Sequence, residues 1–316
     1  MKRVLITSRS FGQASREPFD ILEAAGLSYD MLGVDYTDEA FTTRIADYDA
    51  LIIGAHQFSQ EDMRRCKKLR IIAKHGTGVD NIPLDEAKAL GITVTNVPAM
   101  NSNAVADLAF ALMLDVSRGV SLTNAQVHGG QWKIHIGRDV FSKTLGLIGF
   151  GAIGKNMARR AAGFSMKVLV YDPFAKDVPE EFQNYVTLCD FDTVLTSSDI
   201  ISIHTPLNDQ TKDMFNTGTI TRMKKAAVLV NTGRGGIINE MDLYNCMKDG
   251  HLLGAALDCT TNEPIEPGNP LLSLPNVIIT PHIGMHTAEA VGAVSVACAN
   301  NVVKQLGGHM PDFVVV

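Results

Sequence analysis

Three ionisable residues of complementary kinds follow apolar runs in the second half of the chain: Arg234, Glu263 and His282. A histidine can exchange the proton of a carbinol hydroxyl near neutral pH, and a carboxylate on its second ring nitrogen would orient the ring. A planar guanidinium would hold a substrate carboxylate in one pose and polarise the adjacent carbonyl. Each alone is an ordinary loop residue, so the prediction of acid–base chemistry rests on their occurring together.

A glycine-rich turn at the middle of the chain predicts a dinucleotide site beside this chemistry. It follows the apolar run 144–148 and consists of Gly149, Gly151, Ala152, Ile153 and Gly154, within the spacing G-x-G-x-x-G. These glycines permit a tight turn, let the backbone approach a pyrophosphate and let the next helix lie close to the strand. The N-terminus of that helix offers free N–H groups and a positive dipole end to phosphate.

An acidic residue completes the dinucleotide pattern. A second apolar run, 167–171, ends on Asp172, eighteen residues past Gly154 (172 − 154 = 18). Its carboxylate is placed to accept hydrogen bonds from an adenosine ribose, and a 2′-phosphate would meet its negative charge. A lone glycine motif is weak evidence, but strand, glycines, helix, strand and acid in this order form a strong signal. The sequence therefore predicts NAD rather than NADP.

The elements around these residues alternate between short apolar runs and helical patterns. In the first hundred residues the predicted strands are 4–7, 51–54, 71–74 and 93–96, and the predicted helices are 18–25, 37–45, 61–67 and 84–90. From residue 144 the predicted strands are 144–148, 167–171, 200–204, 227–231, 254–257 and 277–280, with helices at 152–163, 191–196, 217–223 and 240–249. This alternation predicts an α/β fold of two doubly wound parallel-sheet domains.

The long C-terminal helix pattern, 288–306, sets the expected domain boundaries. A return of this helix to the first domain makes that domain discontinuous, with a short final strand at 313–316. We therefore expect a substrate domain at residues 1–100 and 287–316 and an NAD-binding domain at residues 101–286.

Between the two halves lie an apolar helix pattern and a polar arm. Residues 103–118 are apolar on nearly every face, which suits a helix buried between domains or subunits. The arm, 123–138, carries the single tryptophan, Trp132. An aromatic anchor on a polar arm favours packing against a neighbouring subunit over forming a core.

Composition restricts the function further. The chain has 316 residues, a formal net charge of −6 and 46% hydrophobic residues, which describes a globular chain of about two domains. The negative charge argues against nucleic acid as a partner, and no apolar run approaches membrane-spanning length. Met1 to Thr7 enter a strand-like run without a signal-peptide pattern, and five dispersed cysteines fit reduced thiols, so we expect a cytoplasmic protein. No metal is expected.

Together these motifs resemble the D-isomer-specific 2-hydroxyacid dehydrogenases, from about Val4 to Glu289. Besides the glycine turn, the resemblance is carried by residues 76–81 (GTGVDN), 104–107 (AVAD), 204–206 (HTP), 231–235 (NTGRG), 257–258 (LD) with 263–264 (EP), and 281–284 (PHIG). Several such motifs in one order are highly specific.

The resemblance implies roles for individual residues. Arg234 would bind the substrate carboxylate, His282 would be the acid–base residue and Glu263 its partner. Contacts with NAD beyond the glycine turn are implied for Asp172, His204, Thr205, Pro206, Thr232, Asp258, His282 and Gly284, with Asp258 near the nicotinamide carboxamide. Substrate contacts are implied for Lys74, His75, Gly76, Thr77 and Gly78, together with Arg234 and His282. The implied fold is a Rossmann-type NAD domain plus a flavodoxin-like substrate domain around a cleft, usually in a homodimer that contacts through the NAD domain.

The expected substrate is a small D-2-hydroxyacid or 2-keto acid, with 3-phosphoglycerate as the leading candidate. Residues 74–81 are most similar to phosphoglycerate dehydrogenases, where Lys74 would reach a substrate phosphate. Met285 and His286 depart from the small residues common in that subfamily, which keeps hydroxypyruvate, glyoxylate and other short keto acids open. The chain is also expected to lack the C-terminal regulatory domain of longer phosphoglycerate dehydrogenases.

Two other classes resemble the same motifs. C-terminal-binding corepressors, which sense a nucleotide and bind partners, keep these residues but would carry extra binding tails. Formate-type dehydrogenases do not place a glutamate before a proline as the partner of the histidine, as Glu263 is placed here. Both interpretations therefore rank below an NAD-dependent dehydrogenase.

Overall fold

The computed structural model describes residues 1–32 and 37–316, which form two compact units. The first unit is Met1–Asn101 with Met285–Val316, and the second is Ser102–Gly284. The expected boundaries, after residues 100 and 286, lie one and two residues from these limits (101 − 100 = 1; 286 − 284 = 2).

Strands and helices alternate along the chain. The strands are β1 (Arg3–Ile6), β2 (Ser28–Met31), β3 (Ala50–Ile53), β4 (Ile71–Lys74), β5 (Thr93–Thr95), β6 (Thr144–Ile148), β7 (Lys167–Tyr171), β8 (Val186–Leu188), β9 (Ile200–Ile203), β10 (Val228–Asn231), β11 (Gly254–Leu257) and β12 (Val277–Ile279). The helices are α1 (Glu17–Ala24), α2 (Asp38–Ile45), α3 (Gln60–Arg65), α4 (Leu84–Ala89), α5 (Ser102–Arg118), α6 (Val120–His128), α7 (Ala152–Gly163), α8 (Phe191–Ser197), α9 (Thr217–Ile220), α10 (Glu240–Lys248) and α11 (Ala288–Leu306).

The first unit is built on a five-stranded parallel sheet with the order β2-β1-β3-β4-β5. This is the flavodoxin-like order, as the resemblance implied. All four residues of β3 are buried, because a central parallel strand is covered on both faces. Helix α11 packs on this unit next to α1 and β4, and Thr287 caps its start by accepting the Ala290 N–H at 3.1 Å.

The second unit is built on a seven-stranded parallel sheet with the order β12-β11-β10-β9-β6-β7-β8. Counted from β6, this is the Rossmann order 3-2-1-4-5-6 with one further strand at the end. The order reverses where β6 pairs with β9, and ligands of such sheets bind beside the carboxyl ends of the strands at this point. The fold prediction of two doubly wound α/β domains is confirmed.

Two strands were not predicted from the sequence, and the tail differs from its prediction. β2 and β8 each lie at one of the two edges of their sheet, and each is short, partly polar and only partly buried. Residues 313–316 form an isolated antiparallel bridge, Thr95 with Val314, and add main-chain hydrogen bonds to β5.

Within the described ranges, no helix combines the length and the apolar character that a membrane crossing requires.

Candidate active site

The glycine turn after β6 is shaped by close backbone contacts. Gly149 has φ +98°, and a Cβ there would lie 2.6 Å from the carbonyl oxygen of His204, at the end of β9. A Cβ on Gly154 would overlap the carbonyl oxygen of Gly149, which lets α7 start close to the strand. Only glycine meets these two conditions without strain.

The open side of the turn fits a dinucleotide. A Cβ on Gly151 would have no neighbour within 4 Å, so the backbone there is accessible to a ligand. Gly151 is also the N-cap of α7 and offers no side-chain hydrogen bond to the N–H groups of the first turn, which include that of Ile153. Free N–H groups at a helix N-terminus are suited to a pyrophosphate.

Asp172, just after β7, is held in place by two backbone donors. Its Oδ2 accepts the Phe150 N–H at 2.7 Å, and its Oδ1 accepts the Phe174 N–H at 2.9 Å. A carboxylate has about four acceptor positions, so each oxygen retains one for a ribose hydroxyl. The first of these bonds ties the acid directly to the glycine turn. The geometry fits the role expected for Asp172.

His204 and Thr232 contact each other rather than projecting freely from the strand ends. The His204 ring contacts Ser202 Oγ at 2.9 Å through Nε2 and Thr232 Oγ1 at 3.3 Å through Nδ1. Burial lowers the pKa of His204 to about 3, so its imidazole is neutral. These side chains connect the ends of β9 and β10, and a contact of Thr232 with NAD stays a prediction. Main-chain contacts with NAD at His204, Thr205 and Pro206 stay a prediction.

His282 and Glu263 form a hydrogen-bonded pair. His282 Nδ1 donates to Glu263 Oε2 at 2.8 Å, and Glu263 Oε1 accepts the Thr260 N–H at 3.2 Å. The side chains are 44% and 37% exposed, respectively, so a substrate has access to the other ring nitrogen, Nε2. The expected partnership of these two residues is therefore present in the geometry.

The surroundings of the pair keep the imidazole charged. Contact with the Cys259 sulfur, 3.9 Å from each ring nitrogen, and the hydrogen bond to Glu263 raise the pKa of His282 to about 10. Partial burial alone would raise the pKa of Glu263, but its hydrogen bond with His282 and the nearby Arg234 charge lower it overall. The pair is therefore an imidazolium and a carboxylate at neutral pH.

Asp258 holds the loop that presents His282. This carboxylate is 1% exposed and accepts hydrogen bonds from Thr280 Oγ1 at 2.6 Å and from the N–H groups of Ile283 and Gly284 at 2.8 Å each. His282 has φ +54°, a conformation that non-glycine residues rarely adopt unless their surroundings impose it. Asp258 and the Gly284 N–H are thus used in loop positioning. The contact of Asp258 with the carboxamide and the contact of Gly284 with NAD stay predictions.

Arg234 lies in the loop after β10, which Asn231 organises. Asn231 Nδ2 donates to the Arg234 carbonyl oxygen at 2.8 Å, and its Oδ1 accepts the Gly233 N–H at 3.0 Å. The guanidinium donates from Nη1 to the Gly233 carbonyl oxygen at 2.8 Å, which holds the side chain against its own loop. Its charge acts on Glu263, which places Arg234, Glu263 and His282 in one electrostatic neighbourhood of the second unit.

In the first unit, the side chain of His75 does not line a surface. It is 4% exposed and contacts Ser8 Oγ at 3.0 Å and Ser295 Oγ at 2.9 Å. Burial, with the charges of His286 and Lys74, lowers its pKa to about 3. The ring therefore faces the core between two hydroxyls, and a contact between His75 and substrate stays a prediction.

Lys74 is also engaged within the first unit. Its Nζ donates to the Gly54 carbonyl oxygen at 2.7 Å and to Asn81 Oδ1 at 2.6 Å. These bonds use two of its three donors, so the ammonium joins the ends of β3 and β4. A contact between Lys74 and substrate stays a prediction.

The loop after β4 contains a buried glycine, Gly76, followed by an exposed residue, Thr77, at the carboxyl end of the sheet. Gly76 has φ +147°, and Thr77 Oγ1 donates to the Val97 carbonyl oxygen at 3.3 Å and to Asn101 Oδ1 at 3.2 Å. Binding of a substrate carboxylate by Gly76, Thr77 and Gly78 stays a prediction.

Sequence reasoning missed the contribution of Glu240, the first residue of α10. Its Oε1 accepts the Thr261 N–H at 2.6 Å and its Oε2 accepts from Asn269 Nδ2 at 2.7 Å, so it holds the loop that carries Glu263. The available signal was an acid directly after Asn239, the N-cap of α10, but that position predicts only helix capping.

Comparisons with known proteins show which proteins this chain is similar to. Residues 110–284 match the family model described as the D-isomer specific 2-hydroxyacid dehydrogenase, NAD binding domain. The chain is 40% identical over 270 residues to a hydroxypyruvate reductase of Thermotoga maritima, covering 83% of this chain and 86% of that one. It is 37% identical over 297 residues to a D-3-phosphoglycerate dehydrogenase of Archaeoglobus fulgidus, covering 93% of this chain but only 56% of the relative's length.

Among solved structures, the TT0316 protein of Thermus thermophilus matches with a TM-score of 0.92 and 34% identity. The match covers 99% of this chain and 100% of that one, so both units are included.

Proposed function

Because this chain belongs to the D-isomer-specific 2-hydroxyacid dehydrogenases, we propose that His282, Glu263 and Arg234 carry the family's NAD-dependent interconversion of a D-2-hydroxyacid and its 2-keto acid. The observation that carries the proposal is the 2.8 Å hydrogen bond from His282 Nδ1 to Glu263 Oε2, which leaves Nε2 for the substrate. The raised pKa of His282, about 10, makes this residue a proton donor at neutral pH.

In reduction of a keto acid, His282 donates the Nε2 proton to the carbonyl oxygen. The carboxylate of Glu263 fixes the ring orientation and stabilises the imidazolium, so the acid is present before the substrate arrives. In oxidation, the neutral imidazole takes the hydroxyl proton. Bound NADH would supply the hydride to C2 in the first direction, and bound NAD⁺ would accept it in the second.

Arg234 is proposed to bind the substrate carboxylate. A guanidinium pairs with a carboxylate through two parallel hydrogen bonds, which fixes the acid group and hence the carbon next to it. The guanidinium charge acts on Glu263, so a carboxylate bound by Arg234 would lie in the neighbourhood of the proton donor. For the first unit, the backbone of Gly76–Gly78 keeps its proposed role as a carboxylate ligand.

For the substrate, we favour a short unphosphorylated 2-keto acid such as hydroxypyruvate or glyoxylate. Two donors of Lys74, the residue expected to reach a phosphate, are used by Gly54 and Asn81. The 40% identity to a hydroxypyruvate reductase supports the same choice. The second candidate is 3-phosphoglycerate with phosphohydroxypyruvate, which the 37% identity to a phosphoglycerate dehydrogenase favours.

NADH oxidation with a panel of 2-keto acids tests this choice. The panel contains glyoxylate, hydroxypyruvate, pyruvate and phosphohydroxypyruvate, and the quantity compared is kcat/KM. We expect the highest value for an unphosphorylated acid, with NADH preferred over NADPH because of Asp172. A higher value for phosphohydroxypyruvate would overturn the assignment of Lys74 to loop structure and leave the chemistry at His282 intact.

The protein is also proposed to be a homodimer that contacts through the NAD-binding unit, and to work in the cytoplasm. The segment after α6 exposes Trp132, Ile134 and Ile136 by 90%, 93% and 89%, respectively. Closely spaced exposed apolar side chains of this size usually mark a protein contact. All five cysteines are free thiols, which suits a reducing compartment.

A further inference from the structure

Three side chains of different chemistry meet beside the proposed proton donor. They are Cys259, Glu263 and His282, and their sulfur, oxygen and nitrogen atoms all lie within 4.8 Å of one another. Among the described residues, this is the one group in which three such side chains come this close. Glu263 and His282 orient the ring and move its proton, and the thiol adds a third, softer donor atom beside them.

The donor atoms are already close to the spacing of a metal site. Ligands at 2.0–2.3 Å around a tetrahedral ion lie roughly 3.3–3.6 Å from one another. Here Cys259 Sγ lies 3.9 Å from His282 Nδ1, and Nδ1 lies 2.8 Å from Glu263 Oε2. Shifts of about 0.5 Å at each separation would bring these pairs to the tetrahedral spacing.

We propose that Cys259, Glu263 and His282 form a binding site for a soft divalent cation of the Zn²⁺ or Cd²⁺ type, and that the bound ion inhibits the enzyme. Thiolate and imidazole select these ions over Mg²⁺ and Ca²⁺, which prefer sets of oxygen ligands. The ion is an inhibitor and no part of the catalytic chemistry.

Access to the site is one-sided. The His282 and Glu263 side chains are 44% and 37% exposed, whereas Cys259 is 3% exposed. The ion therefore meets the imidazole and carboxylate first, and the thiol closes the coordination from the interior. On binding, the thiol releases its proton to solvent as the Cd–S or Zn–S bond forms. The Nδ1 proton between His282 and Glu263 is also released, because the ion takes its position.

The inhibitory part of this inference rests on the proposed role of His282. An ion on Nδ1 breaks the hydrogen bond that orients the ring toward Glu263, and transfer of the remaining Nε2 proton would then leave an imidazolate instead of a neutral imidazole. Inhibition is therefore expected to reduce kcat for keto acid reduction. NADH binding is expected to persist, because Gly149, Gly151 and Asp172 lie outside the metal site.

The test uses the full chain in two parallel titrations with Cd²⁺. The cysteines are first reduced, and the thiol reductant is then removed. The first follows the thiolate-to-cadmium charge-transfer absorbance in the ultraviolet, which needs no activity. The second titration follows NADH oxidation with a keto acid that the enzyme reduces. Mg²⁺ is the comparison ion, and a chelator is added at the end to reverse the binding. Cys259→Ser and Cys259→Ala remove the sulfur, Cys189→Ser is the matched control outside the group, and thermal unfolding checks that each variant is folded.

We expect one Cd²⁺ per chain, with absorbance and inhibition saturating together and both reversed by chelator. Both Cys259 variants should lose the absorbance and should require about tenfold or more Cd²⁺ for half inhibition, whereas Cys189→Ser should behave as the wild type. A charge-transfer band that persists in folded Cys259→Ser, or no band in the wild type, would overturn the metal site. A band without inhibition would overturn the inhibitory role, and a chain that reduces no keto acid before Cd²⁺ is added would instead refute the proposed function.

Discussion

The hydrogen bond between Glu263 and His282 decides which form of the imidazole meets the substrate. Nδ1 is committed to the carboxylate, so only Nε2 remains for the reacting oxygen. The same bond and the Cys259 sulfur hold the pKa of His282 at about 10, which is above its ordinary value of 6.5. A group with a raised pKa is protonated below that value and loses its proton as pH rises through it. The pair is therefore prepared for reduction over the whole neutral range.

The direction of the His282 pKa shift predicts how the pH dependence changes in Glu263→Gln. In the wild type, kcat/KM for keto acid reduction should hold up to about pH 10 and fall above it, while the oxidation rate rises toward the same pH. Replacing the carboxylate by a neutral amide removes one cause of the shift, so both limbs should move to lower pH. Steady-state rates measured from about pH 6 to about pH 11 define the two limbs. Limbs that stay in place in a folded variant would contradict the role of Glu263.

At this scale, the sequence identifies which residues carry chemistry but not where their side chains point. Arg234, Glu263 and His282 were predictable because each follows a strand of a parallel sheet. His75 also follows a strand, yet its ring lies between Ser8 and Ser295. The torsion angles that turn a ring inward depend on residues distant in sequence, which no local pattern contains.

In the turn between β6 and α7, one glycine is required by the fold and another is required by the bound cofactor. Gly149 is required by the fold, because its φ is +98° and a Cβ there would lie 2.6 Å from the His204 carbonyl oxygen. A Cβ on Gly151 would meet no neighbour within 4 Å, so the fold itself does not require glycine at this position. A bound pyrophosphate does require it.

Two alanine variants distinguish the requirement of the fold from the requirement of cofactor binding. Gly149→Ala should lower the free energy of unfolding by about 1–3 kcal/mol and weaken NADH binding, because the turn must shift. Gly151→Ala should leave thermal unfolding nearly unchanged and weaken NADH binding alone. Thermal unfolding and NADH fluorescence titration measure the two quantities. Unchanged NADH affinity in Gly151→Ala would contradict a cofactor at this turn.

The sequence predicted the central strands and two edge strands, β5 and β12, but it missed the opposite edge strands β2 and β8. Central strands such as β9 and β10 are buried on both faces and therefore consist of nearly continuous apolar runs. β2 and β8 have one open edge, and polar residues replace part of the apolar pattern that prediction depends on. The loops of the candidate site could still be located from the sequence, because they follow the central strands.

Three of the most exposed large apolar side chains of the described residues lie close together in the segment after α6. Trp132, Ile134 and Ile136 follow α6 in the NAD-binding unit, where the sequence predicted an arm for a neighbouring subunit. This segment forms no helix or strand of its own between residues 131 and 140. We infer that a second copy of the chain covers it.

Introducing negative charges in this segment should dissociate the proposed dimer. Trp132→Glu with Ile134→Glu should convert the dimer to a monomer of 34.1 kDa, because two buried carboxylates would lack partners in the contact. Light scattering after size exclusion measures the mass. Met310→Glu, at a side chain that is 82% exposed in the other unit, is the control and should remain dimeric. A wild type that is monomeric at micromolar concentration would contradict the proposed dimer.

The most direct test of the account compares keto acid reduction by the wild type and by His282→Gln, with NADH affinity measured for both. Glutamine has no acidic proton to donate but approximates the size of the ring. We predict that kcat falls by on the order of 10²–10⁴ in the variant while NADH binding persists, because proton donation is lost and the glycine turn is untouched. A variant that keeps the wild-type rate would contradict the account, as would a wild type that binds NADH and reduces no 2-keto acid.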